Sequence, residues 1–367
     1  SRDNNMYWKD GNLPWVSISD LSKSQIYIEN SKELITKFAV KDTLVKCIPK
    51  DTVIMSFKLS LGKTAITRKP LYTNEAIMAF IDKKVIQIEP KYIYFLFSYI
   101  QWGQFTNNAV KGKTLNKKFF SDFQINIPKY TQQTKVSSIL IRINKILEYK
   151  RSLIEIYDAL IKSRFDELFL NTHSIETMEI GELFEVGSSK RILQSELTTY
   201  GIPFYRVTDL INRINDRPVD IKQYVDELKY MTLIKEKYVP QAGDFLITAR
   251  GTIGKIYEVK QNDKFYFQDG MITWLKRKNN YINNLFFMEL VKTDWFRRQF
   301  YSSNNGTTIS YLSITDTRHL KVLLPALNLQ LQFAQEVYQI NKLKSDVQKS
   351  IDETQLLMDS LMQEYFG

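Results

Sequence analysis

The sequence predicts an α+β protein of two repeated modules, separated by two long helices that pair as an antiparallel coiled coil about a pseudo-twofold axis. Three observations predict it. The stretch LPWVSISDL (13–21) is echoed by IPFYRVTDL (202–210). A strand, a short polar turn and a Gly-Lys pair occur once near residue 60 and again near residue 252. Finally, the chain from Pro128 to Phe169 matches the chain from Pro325 to Phe366 without a gap.

The echo opens each module with an apolar residue, Pro and an aromatic, then a hydroxyl and Asp-Leu. Trp15 and Phe204 within it are read as core rather than base-stacking residues. Next, IPKDTVIMSFKLSLGKTAI (48–66) runs parallel to VPQAGDFLITARGTIGKIYEV (239–259), which carries one extra residue. Hydrophobic runs bracketing a Gly-containing polar turn read as strand, turn, strand. YTNEAI (72–77) aligns loosely with FQDGMI (267–272), Trp102 with Trp295, and KGKTLNKKF (111–119) with NGTTISYLS (305–313).

The closing helices carry RINKI and QINKL, then DELF and QEYF, at matching places. In the first, Val136, Ile143 and Tyr157 make one heptad row and Ile139, Ile146, Leu153 and Leu160 the other. Lys150 and Arg164 interrupt it. In the second, Phe333, Ile340, Val347 and Leu361 recur, with Leu343 and Ile351 between them. Sustained 3–4 spacing predicts a coiled coil; the bland alternative lays each helix on its own module. The first helix leads to module two and the second must return, so a pair would be antiparallel. The expected segments are 1–127, 128–170, 171–324 and 325–367. Module two begins earlier, with MEIGELFEVGSSKRI (178–192). That stretch has no counterpart before Tyr7, so module one is expected to be truncated at its N-terminus.

Over 367 residues, 51 Lys and Arg outweigh 40 Asp and Glu, a formal charge of +11. That excess favours a polyanionic partner, nucleic acid before a membrane surface. The lone Cys47 builds no disulfide framework, which fits a reducing cytoplasm; beside Val45 and Ile48 it is expected to be buried. His173 and His319 have no metal-spaced neighbours. The apolar run YIYFLFSYI (92–100) is too short to cross a bilayer, and a cytoplasmic location is expected.

No G-x-G-x-x-G or G-x-x-x-x-G-K-[ST] is present, so dinucleotide binding and nucleotide hydrolysis have no support. Nor is there the Asn/Asp-Pro-Pro-aromatic tetrad of amine methylation. One enzymatic alternative is a self-contained metal-dependent nuclease using Asp244, Glu258 and Lys260. Module one has Thr52, Ile66 and Arg68 there, which favours a coincidental charge pattern. Binding has better material. Lys58, Ser60, Lys63 and Thr64 in module one face Arg250, Thr252 and Lys255 in module two. Lys111, Lys113 and Asn116 face Asn305, Thr307, Thr308 and Tyr311. These residues can grip phosphates or touch base edges. Any one loop alone is an ordinary solvated turn; recurrence at matching places raises the binding reading.

YWKDGNLPWVSISDL (7–21), SLGKTAIT (60–67), GDFLITARGTIGK (243–255), NIPKYTQQTKVSSIL (126–140) and LPALNLQLQFAQ (324–335) carry a family resemblance. In their order of module, helix, module and helix, the chain resembles the specificity subunit of type I restriction–modification systems over nearly its whole length. The resemblance implies two target-recognition domains, each reading half of a split double-stranded DNA sequence. It implies spacer helices that bind two methyltransferase subunits, with restriction subunits completing the complex. It also implies a non-catalytic chain without a cofactor of its own, S-adenosylmethionine, ATP and Mg²⁺ belonging to the partners.

Overall fold

A computed structural model describes residues 4–43, 45–105, 115, 117–171, 175–300 and 311–367. Packing divides the chain into two compact units, Ser1–Arg151 with Lys349–Gly367, and Ser152–Gln348. Each unit therefore includes a stretch of both long helices.

Unit 1 contains β1 (Leu13–Val16), β2 (Tyr27–Ile28), β3 (Glu33–Ile35), β4 (Val53–Ser56), β5 (Thr64–Thr67), β6 (Tyr72–Thr73) and β7 (Ile77–Phe80). They form sheets of order β3-β1-β6 and β2-β5-β4-β7. Helix α1 (Pro90–Tyr99) and the first long helix, α2 (Tyr130–Phe165), follow. Val16, Ile54, Ala65 and Leu71 close the core between the strands. Cys47 is exposed, contrary to expectation. Its extended neighbour Ile48 takes the inward position and pairs with Leu71 instead.

Unit 2 contains β8 (Thr177–Glu179), β9 (Phe184–Gly187), β10 (Leu197–Thr198), β11 (Ile202–Tyr205), β12 (Tyr224–Val225), β13 (Phe245–Thr248), β14 (Ile256–Glu258), β15 (Tyr266–Phe267), β16 (Ile272–Arg277) and β17 (Lys321–Leu323). The sheet orders are β10-β12-β11-β15, β14-β13-β16-β9 and β17-β8. Helix α3 (Asn284–Lys292) and the second long helix, α4 (Leu327–Phe366), complete the set. Phe165, at the end of α2, and Phe169, in the turn Asp166–Leu170 that follows it, enter this unit's core against Phe286 and Phe333.

The repeat is real at the level of strand register. β1 pairs in parallel with β6 through Trp15 and Tyr72, as β11 pairs with β15 through Phe204 and Tyr266. β4 lies between β5 and β7 just as β13 lies between β14 and β16. Phe204 is buried, as expected; Trp15 is half-buried and meets Trp8 edge-on. The units differ at one border. In unit 2, β9 continues the sheet beyond β16, whereas among the described residues the unit 1 sheet ends at β7, with Ile81, Val85 and Ile86 exposed.

Each long helix is anchored by a buried glutamine. Gln133 donates to the Pro128 and Gln87 carbonyls at 2.8 and 3.1 Å and accepts the Glu89 N–H at 2.8 Å. Gln330 donates to Pro325 and Tyr281 at 2.7 and 3.0 Å and accepts from Asn283 at 2.8 Å. A residue type that helical periodicity assigns to the surface thus serves as the internal bolt of each unit.

The helices run antiparallel within each unit. In unit 2, Asp158 meets Lys344 and Arg164 meets Glu336. In unit 1, Lys150 donates to Thr354 Oγ1 at 2.6 Å and Ser350 Oγ at 2.7 Å. One expected heptad row needs correction. Ile146 and Leu160 of that α2 row are exposed, as is Leu343 in α4; Leu140, Leu147 and Ile161 take the inward places in α2, with Val337 and Met358 beside the expected Ile351 in α4. Both candidate rows in α2 are apolar, so spacing could not choose between them. Lys150 and Arg164 do sit in the seam, but with partners. The hydrogen bonds from Arg164 to Glu336 and Glu167 hold its proton more tightly than usual.

Candidate nucleic-acid interface

The same turn is built twice. Ser56, ending β4, accepts the Lys63 N–H at 3.0 Å and gives its hydroxyl to the Ser60 carbonyl. Thr248, ending β13, accepts the Lys255 N–H at 3.0 Å and gives its hydroxyl to the Thr252 carbonyl. Backbone bonds from Gly62 to Ser56 and from Gly254 to Thr248, both 2.9 Å, close each loop. Gly62 and Gly254 have φ of +80° and +78° and lie under an aromatic ring. A Cβ there would fall 2.6 Å from Trp102 or 2.3 Å from Phe300. Glycine is needed for both backbone conformation and space. The aromatic corresponding to Trp102 is thus Phe300, not Trp295, because matching ring positions follow the loop and not residue type.

A further strand of backbone is stitched to each loop. Leu115 donates to the Phe57 carbonyl at 3.0 Å, and Leu312 to the Ala249 carbonyl at 2.9 Å. Leu115 and Leu312 keep the same separation as Pro128 and Pro325, so the ungapped match begins at Leu115. This shifts the expected pairing of 111–119 with 305–313 by three positions and sets Thr114, not Lys117, opposite Tyr311. Reading the ungapped match backwards from Pro128 would have found this.

Among the binding candidates, Ser60, Lys63, Arg250, Thr252 and Tyr311 are exposed, and Lys58 and Lys255 half-exposed. Thr64 is buried and donates inward to the Gly62 carbonyl at 3.0 Å, so it supports the turn rather than facing outward. Lys111, Lys113, Asn116, Asn305, Thr307 and Thr308 lie outside the described residues. Among the described residues, no carboxylate pairs with Lys58, Lys63, Arg250 or Lys255, while many other surface cations do have acidic partners. Arg250 lies over the Tyr311 ring at 4.3 Å, and the two backbones bridge. Stacking on an aromatic face leaves the in-plane N–H donors of a guanidinium available. Lys58 has its own neighbour, Phe57, at 5.5 Å.

The nuclease set does not assemble. Asp244 is buried and its oxygens accept from Trp274 Nε1 at 3.0 Å, Gln241 N at 2.8 Å and Arg277 N at 3.1 Å. Glu258 is occupied by Lys260 and Asn284. No metal-holding cluster of His, Cys, Asp or Glu occurs among the described residues. Asp244 ties β13 to β16. Asp244→Asn should therefore lower stability by about 1–2 kcal/mol, because one N–H loses its acceptor to an amide NH₂. Denaturant unfolding checks it; an unchanged midpoint would refute the tie.

The family model described as the type I restriction modification DNA specificity domain matches residues 2–156 and 173–353. The chain belongs to that family. The specificity subunit of the type I restriction enzyme MjaIX from Methanocaldococcus jannaschii is 24% identical over 350 residues, 87% of this chain and 77% of that protein. The EcoR124I/EcoR124II specificity subunit of Escherichia coli is 27% identical over 143 residues, 36% of this chain and 34% of that one. Among solved structures, the type I S subunit from M. genitalium superposes with a TM-score of 0.55 at 16% identity, covering 100% of this chain and 98% of that one. A chain from a study of type I R-M complex assembly and conformational transition gives 0.60 at 14%, covering 98% and 95%. These likenesses establish the specificity-subunit fold, and nothing among them supports a nuclease. No described helix is long and apolar enough to cross a membrane.

Proposed function

We propose that this chain is the DNA-reading, non-catalytic subunit of a type I restriction–modification complex. Each unit reads one half of a bipartite double-stranded target. Two methyltransferase subunits and the restriction subunits supply methyl transfer and cleavage, and S-adenosylmethionine, ATP and Mg²⁺ act in those partners. The observation that carries the reading is the duplicated loop, whose cations have no acidic partner among the described residues at matching places in both units. Lysines there suit phosphate oxygens, and the ring-braced Arg250 suits the bidentate edge of guanine.

Methylation mapping over a randomised target library, with the cognate methyltransferase, tests it. Arg250→Ala should relax one half of the recognition sequence by roughly 5- to 150-fold, the worth of a good bidentate contact. Lys58→Ala with Lys63→Ala should act on the other half. The reading fails if either protein loosens both halves equally, or neither.

A further inference from the structure

Leu59 breaks the symmetry between the two loops. It is the third residue after Ser56, where unit 2 has Gly251, the third after Thr248. Both adopt the left-handed backbone, with φ of +63° at Leu59 and +71° at Gly251. That conformation suits glycine, and a bulky side chain in it is strained. The Leu59 side chain is also 76% exposed, so burial does not compensate. It projects between Lys58 and Ser60, on the loop that also carries Lys63. Unit 1 therefore holds an apolar group outward, against both local preferences, in the middle of its cationic turn. Strain retained at an exposed side chain points to a functional contact.

We infer that Leu59 is a specificity-determining residue of unit 1, touching the C5-methyl group of a thymine in the major groove. This rests on the proposed reading that the loop meets DNA. The lysines at 58 and 63 would hold phosphates, which brings the loop tip to the base edges. Among the groups displayed by base pairs in the major groove, the thymine methyl is the apolar one. Unit 2, with Gly251 in this place and Arg250 beside it, would read through the guanidinium instead.

The test uses the chain assembled with its methyltransferase, and compares the parent, Leu59→Gly, and Lys58→Ala with Lys63→Ala. Leu59→Gly should lose about four-fold discrimination for thymine at one position of the unit 1 half-site, the worth of one buried methyl group. Replacing that thymine by uracil should cause the same loss in the parent and none in Leu59→Gly. The melting temperature of Leu59→Gly should be no lower than the parent's, since glycine relieves the backbone. A structural role would show the opposite sign. Unchanged discrimination in Leu59→Gly, or a loss that uracil does not reproduce, overturns the inference. If the lysine variant also leaves the half-site unaffected, the loop's contact with DNA falls as well, so the two failures are separable.

Discussion

Gln330→Leu is expected to destabilise unit 2 by about 3–5 kcal/mol. The substitution keeps the bulk and removes three hydrogen bonds at once. Two carbonyls, Pro325 and Tyr281, lose their donor, and the Asn283 N–H loses its acceptor. Gln330 is fully buried, so water does not take their place. Each stranded group costs about 1–3 kcal/mol. The damage should spread to α3, because Asn283 caps that helix by accepting from Leu285 and Phe286 at 2.9 and 3.2 Å. A two-unit chain need not unfold in one step, so amide hydrogen exchange is the better measurement. Protection should fall across α3 and the start of α4 and stay at parental values in β4 and β5. Gln133→Leu should reverse that pattern, loosening α1 and the start of α2. Parental protection around α3 in Gln330→Leu would show that the bolt carries no load.

Why did the sequence not announce these glutamines? Both lie in the stretches that carry the family resemblance, yet an amphipathic reading places polar residues outside. Only the carbonyls gathered around the helix start make a buried amide favourable. The same blindness explains the seam. Ile139 and Leu140 are adjacent and both apolar, so periodicity admits either row, and Lys150 looks like an interruption. Ser350 and Thr354, far along the chain, turn it into a bonded seam residue. The module order, the Gly-Lys turns and the closing match were all legible, because they are repeated strings. Loop correspondence was legible only to within three residues, since Leu115 and Leu312 carry no distinctive chemistry until their backbone bonds are seen. Leu59 stayed hidden for a different reason. A leucine beside lysine is unremarkable until its backbone angle and exposure are known.

Gly254→Ala should cost about 2–5 kcal/mol and loosen target discrimination by unit 2. Two effects add. The left-handed backbone at φ +78° penalises any Cβ by about 1–2 kcal/mol. The new methyl would also stand 2.3 Å from Phe300 Cε2 and 2.9 Å from Cζ. Phe300 is buried and meets Phe296 edge-on at 5.7 Å, so its ring has little room to retreat. Such overpacking typically costs about 1–3 kcal/mol. If the ring holds, the loop itself must shift, carrying Arg250 and Thr252 with it. Gly251→Ala is the control on the same loop: its φ is +71°, yet nothing lies within 4 Å of the added carbon. It should show only the backbone penalty. Gly62→Ala should repeat the larger effect in unit 1, where the obstacle is Trp102 Cδ1 at 2.6 Å. Denaturant unfolding ranks the three proteins, and methylation mapping shows which half-site each one relaxes. If Gly254→Ala proved no less stable than Gly251→Ala, the ring would not be what fixes the loop. Arg250 would then owe its position to Tyr311, the Leu312 backbone bond and the Thr248 hydrogen bonds within the loop.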